Sequence, residues 1–158
     1  MTVKIDRTRI RAALRGFLEF LESTDRLANI ELLELWLGQL AFIQHFIGEI
    51  SEAESESPAR SNRDYAQWKA LIGTQFPALG AYNLPAATSI QTGDALDDLT
   101  NIAIEISECV QRWDDLGGDN ALRHLRSGYQ ARWGKQLRNL QAYIQNLPVK
   151  DRNKPAQR

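Results

Sequence analysis

A chain of 158 residues is the length of one domain, at roughly 100–200 residues each. Forty of those residues are Leu, Ile, Val or Phe, enough to build a buried core. Nineteen basic and twenty acidic side chains leave a formal net charge of −1, which excludes a globally basic nucleic-acid binder and a globally acidic mimic. Twenty Leu and eighteen Ala stand against three Val. Straight-chain residues and Ala lose little freedom in a helix, whereas β-branched residues favour strands, so the expected class is all-α.

Cys109 is the only cysteine, which rules out an intramolecular disulfide and fits a reducing compartment. Residues 1–15 carry five basic side chains with no apolar run behind them and do not read as a secretory signal. The uncharged stretch from Leu35 to Gly48 is 14 residues long, short of the about 20 that a membrane span takes. No membrane association and a cytoplasmic location are therefore expected.

The first helix is expected from about Asp6 to Glu22, with Ile10, Leu14, Phe17, Leu18 and Leu21 on one face. A second follows from about Asn29 to Ile50, its main stripe running through Leu33, Trp36, Leu37, Leu40, Ile43 and Ile47. Leu35, Phe42 and Phe46 form a second apolar face on that helix, which places it either at the centre of its bundle or at a subunit interface, and predicts either a homodimer through this helix or burial of the face under the Phe76–Leu84 loop. Residues 51–62 are polar and acidic and read as a mobile linker. A short third helix, about Asn62 to Gln75, is expected to be capped by Ser61 or Asn62. The following loop is broken by Pro77, Gly80 and Pro85, yet it carries Phe76, Leu79, Tyr82 and Leu84. Such side chains predict a loop docked on the bundle.

The fourth helix is expected to open near Thr92-Gly93-Asp94 and to stop at Gly117-Gly118. The fifth runs from Asn120 to about Asn146 in line with Leu122, Leu125, Tyr129, Trp133, Leu137, Leu140 and Ile144. The tight connection makes these two antiparallel neighbours. The expected architecture is an up-and-down bundle of four main helices, one short helix and a docked apolar loop. It forms a single domain over 1–148, followed by a polar basic tail over 149–158.

Charge is segregated between the last two helices. Residues 94–119 hold eight acids and only Arg112, whereas residues 120–158 hold nine basic residues and only Asp151. Side by side, the two would neutralise each other. A free basic strip for phosphate is the rival reading, but no nucleic-acid motif accompanies it, which argues against a nucleic-acid partner. With the turn centred on Gly118, Glu105 lies level with Arg132 and Asp98 level with Arg138, and these are the expected ion pairs.

Asp94, Asp97 and Asp98 fall in the first turn of the fourth helix, where carboxylates stabilise the helix by themselves. Asp94, Asp98 and Glu105 also share one flank and are the candidate ligands or acid–base groups if the chain holds a cation. His45 and His124 read as ordinary histidines, His124 being remote from Asp94. Cys109 beside Glu108 is not expected to be a nucleophile.

The run Gly93-Asp94-Ala95-Leu96-Asp97-Asp98-Leu99 is distinctive in combination with two other motifs. One is the loop Phe76-Pro77, Leu79-Gly80 and Tyr82-Asn83; the other is the pair Trp133-Gly134. Together they resemble a bacterial family of small helical proteins, domain of unknown function five-zero-six-three, across Phe76 to about Leu140. The resemblance implies a helical bundle and no particular activity. It also implies histidines where this chain has Arg132 and Gln136. Two histidines at that spacing could bind a metal, and Arg132 could take the place of the cation by pairing with a carboxylate.

No assembled nucleophile–base pair, cofactor fingerprint or metal motif stands in the sequence, and no cofactor is expected. The function expected is that of a non-enzymatic interaction or accessory protein, acting on a protein partner or as a homodimer through the second helix. The alternative is a metal-dependent or carboxylate-based hydrolase using Asp94, Asp98 and Glu105.

Overall fold

Asp6, Asn29, Asp64 and Asp94 each have extended backbone and a side chain that accepts from backbone N–H groups of the next turn, and each starts a helix. The computed structural model describes residues 6–23, 29–45, 61–84 and 91–152, without the side chains of Leu84, Gln91 and Val149. The elements in chain order are α1 (Arg7–Glu22), α2 (Ile30–Gln44), α3 (Tyr65–Gln75), β1 (Ala81–Leu84), β2 (Gln91–Asp94), α4 (Ala95–Leu116), α5 (Gly118–Gly128), a π-helical turn (Tyr129–Trp133), α6 (Gly134–Gln145) and the single turn α7 (Val149–Arg152). The class is all-α, with one small hairpin. Residues 46–60, among them Phe46 and most of the expected linker, lie outside the described residues.

Helix α4 is the hub, touching α1, α3, α5 and α6. It presents Leu99, Ile102, Ala103 and Ile106 fully buried. Of the two positions expected for the second helix, the centre of the bundle is not the one it takes. Instead α2 packs against α1 and α6, burying Ile30, Leu33, Leu37, Leu40 and Ile43 and leaving its other face outside. Trp36 is only half-buried and stacks on Phe20, the ring centroids 6.1 Å apart.

The third helix starts later than expected. Its cap is Asp64, locked in a capping box with Gln67, while Ser61 and Asn62 do other work. Trp68 Nε1 donates to Ser61 Oγ at 3.1 Å, and Asn62 exchanges two hydrogen bonds with Ser107 of α4. The last two residues of the expected linker are thus pinned to the core.

The apolar loop docks, but it does not cover the Leu35–Phe42 face of α2. Phe76 and Leu79 are buried, and Tyr82 is half-buried. The Phe76 ring lies 5.8 Å from that of Phe20. Tyr143 Oη donates to the Ala78 carbonyl at 2.5 Å and accepts from the Gly80 N–H at 3.0 Å. Because the loop seats on α1 and α6, Leu35 and Phe42 remain 66% and 56% exposed. The loop then continues as β1, which pairs antiparallel with β2 from Ala81 opposite Asp94 to Leu84 opposite Gln91. The sequence showed no strand here.

Gly117, at φ 93°, closes α4 in a conformation that favours glycine. The expected fifth helix begins one residue later, at Gly118, and is not uniform. At the π-helical turn the Gly134 N–H donates to the Tyr129 carbonyl, five residues back. Leu125, Tyr129, Trp133 and Leu137 recur every four residues, a spacing that drifts by about 40° per step in a regular α-helix. One wider turn absorbs the drift and keeps Leu125, Trp133, Leu137, Leu140 and Ile144 in the core. The expected basic tail also departs from the reading. Its first four residues form α7, where Arg152 bonds Glu34 of α2 at 3.0 Å and the Ile144 carbonyl at 3.3 Å, and residues 153–158 lie outside the described residues. Among the described residues no helix is long and apolar enough to cross a membrane.

Candidate functional site

The hairpin, the N-terminal half of α4 and the face of the π turn and α6 enclose an open cleft of about 690 Å³. Its walls include Asp94, Asp98, Glu105 and Arg132, so all three candidate acids and the expected counter-cation line one depression. Gln136 lies there too, as do Lys135 and Asn139.

Each acid has a structural partner. Asp94 Oδ1 accepts from the N–H groups of Leu96 and Asp97, capping α4. Asp98 accepts a short hydrogen bond from Tyr82 Oη. This differs from the expected pairing with Arg138, which is exposed. The hairpin lies over the N-terminal half of α4 and brings Tyr82 to the Asp98 flank, which turns that carboxylate inward to 6% exposure. Burial pushes the Asp98 carboxyl up to about 6, against the opposing effect of the Tyr82 hydrogen bond. Burial and the same contact hold the Tyr82 hydroxyl well above its ordinary range.

Arg132 donates from Nε to Glu105 Oε1 at 2.8 Å and from Nη2 to Oε2 at 3.4 Å. Its side chain is 58% exposed, while that of Glu105 is 12% exposed, so the arginine leans in from solvent over a largely buried carboxylate. Contact with Glu105 raises its pKa further. The charge segregation is used only partly between neighbours. Asp114 and Asp119, at the far end of α4 and in α5, pair with Arg11 and Arg7 of α1, and such exposed pairs contribute about 0–1 kcal/mol each.

His124 is half-buried, and it stands beside two acids of α4 that its sequence position did not point to. Its Nε2 stands 3.4 Å from Glu108 Oε2 and 3.9 Å from Glu105 Oε2. That atom is sealed from solvent and makes no hydrogen bond. Among the described residues these three form the one His/Cys/Asp/Glu cluster with ligand atoms all within 4.8 Å of one another. The signal available in the sequence was the one-turn spacing of Glu105 and Glu108.

Cys109 is fully buried and donates to the Ala121 carbonyl at 3.5 Å. Burial, more than any acidic neighbour, pushes its thiol up to about 12. No family model matches the chain, and neither a curated protein nor a solved structure is detectably similar to it.

Proposed function

We propose that this chain is a non-enzymatic interaction protein whose contact element is α2 and whose occupant there is a second copy of itself. The observation that carries the reading is the outer face of α2. Leu35 and Phe42, two turns apart and in line, are 66% and 56% exposed, and Gly38 between them opens to free space. From Leu35 to Gln44 the helix has no formal charge. An antiparallel pair of α2 helices about a dyad between Gly38 and Gln39 sets Leu35 of one copy against Phe42 of the other with no like-charge contact. A two-fold interface requires such self-complementarity. The partnered state of Asp94, Asp98 and Glu105 supports a structural role for the cleft acids. A cytoplasmic setting, in which Cys109 stays reduced, and membership of the family that the Phe76–Leu140 motifs resemble belong to the same proposal.

Site-specific photocrosslinking in the source cell tests it, with benzoylphenylalanine at Gln39 and, as control, at exposed Ser127. The expected product is a covalent species of twice the chain's mass from position 39 alone. A single adduct of another mass would overturn the second copy as occupant. No adduct from position 39 would overturn the interaction reading.

The second reading, a carboxylate-based or metal-dependent hydrolase, draws on the convergence of Asp94, Asp98 and Glu105 on one cleft. Asp98, with its carboxyl pushed up to about 6, has the proton affinity of a general acid. Turnover of phosphate- or acyl-ester substrates that Asp98→Asn abolishes would favour this reading over the first.

A further inference from the structure

Glu105 and Glu108 occupy successive turns of one face of α4, and His124 of α5 closes on them from the neighbouring helix. We infer that Glu105, Glu108 and His124 form a binding site for a divalent transition-metal ion, of which zinc is the best match.

The ligand set is one imidazole and two carboxylates, a donor mix that suits zinc, manganese or ferrous iron better than calcium or magnesium. Two ligands about 2.1 Å from one ion at the tetrahedral angle stand about 3.4 Å apart. The His124 Nε2 to Glu108 Oε2 distance is 3.4 Å, and that to Glu105 Oε2 is 3.9 Å. The histidine already stands at that separation from one carboxylate and 0.5 Å beyond it from the other, and all three ligand atoms lie within 4.8 Å of one another. The His124 nitrogen is inaccessible to water and has no hydrogen bond, and a buried polar atom in that condition calls for a partner. The two carboxylates are 12% and 19% exposed, and such mutual proximity favours a bound cation.

Two further features build the site. Arg132 holds Glu105 Oε1 at 2.8 Å and reaches Oε2 only at 3.4 Å, so the less tightly held Oε2 is the oxygen that faces the histidine. Arg132 is a positioning residue, as carboxylate ligands are commonly fixed by an outer hydrogen bond. Gly128 supplies the space, since a Cβ there would stand 2.9 Å from Glu105 Oε2. Three protein ligands leave coordination positions open. Because Glu105 also lines the cleft, the ion would sit at its edge and tie α4 to α5. The inference does not depend on how α2 is used.

The test is isothermal titration of the untagged, chelator-stripped full chain with zinc chloride, alongside thermal melting and the visible spectrum of the cobalt-loaded form. We expect one zinc per chain, a raised melting temperature and a cobalt ligand-field band. Glu108→Gln and His124→Gln should each weaken binding at least tenfold, Arg132→Gln about tenfold, and His45→Gln not at all. Should His124→Gln fail to fold, Glu108→Gln, which keeps the shape of the site, still decides. If the three side chains form only a local polar cluster, zinc will not bind stoichiometrically, or Glu108→Gln will bind it as the wild type does. Either result overturns the inference.

Discussion

Arg132, 58% exposed, grips Glu105, 12% exposed, through both carboxylate oxygens. The asymmetry sets the size of the contribution. Water screens the guanidinium, which weakens the pair, but its loss strands a largely buried carboxylate. Arg132→Ala should therefore destabilise the metal-free chain by about 0.5–1.5 kcal/mol, read from urea denaturation. A double-mutant cycle with Glu105→Gln should return a coupling energy of the same sign. Zero coupling would show that the contact contributes nothing.

Gly134 tests the π turn. A Cβ at that position would lie 2.4 Å from the Tyr129 carbonyl oxygen. Alanine is worth about 1 kcal/mol more than glycine within a regular helix, so ordinary propensity predicts that Gly134→Ala stabilises. The clash should outweigh that gain and produce a net loss of about 1–3 kcal/mol. A rise in melting temperature would mean the turn is not π-helical in solution.

Asp98 gives the chain a pH dependence of definite sign. In the folded state its carboxyl is pushed up to about 6 by burial, from an ordinary 3.8. Between those values the folded state holds more protons than the unfolded one, so stability falls as the pH rises through that window and stays lowered above it. Asp98→Asn keeps an acceptor for Tyr82 and removes the ionisation. From pH 4 to pH 7.5 its stability should gain about 1–3 kcal/mol on the wild type. A constant difference across that range would contradict the placement of Asp98.

Cys109 should be silent. With its thiol fully buried and pushed up to about 12, a disulfide reagent at pH 8 should label it at least a hundredfold more slowly in the native chain than in urea. Stoichiometric labelling of the native protein within minutes would refute the packing of Cys109 against Ala121.

The helices were legible because their stripes and caps are local. The faces of α1 and α4 and the stop at Gly117 follow from residue spacing alone. What failed is tertiary. The hairpin from Ala81 to Asp94 lacks β-branched alternation and forms where the loop is already tethered by Tyr143. Its placement gives Asp98 to Tyr82 and not to Arg138. The axial level of Glu105 and Arg132 could be counted from the connection, because α4 and the last helix run antiparallel. His124 could not be placed that way, since the same count sets it level with Arg112, whereas it meets Glu108.

Self-association through α2 is most directly tested by sedimentation equilibrium of the purified chain from 1 to 200 µM, compared with the Leu35→Glu/Phe42→Glu variant. Both replaced side chains are more than half exposed, so the variant should fold and melt as the wild type does. The account predicts a wild-type monomer–dimer equilibrium within that range, with the variant monomeric throughout. A wild type that stays monomeric to 200 µM, or a variant that dimerises equally well, would contradict it.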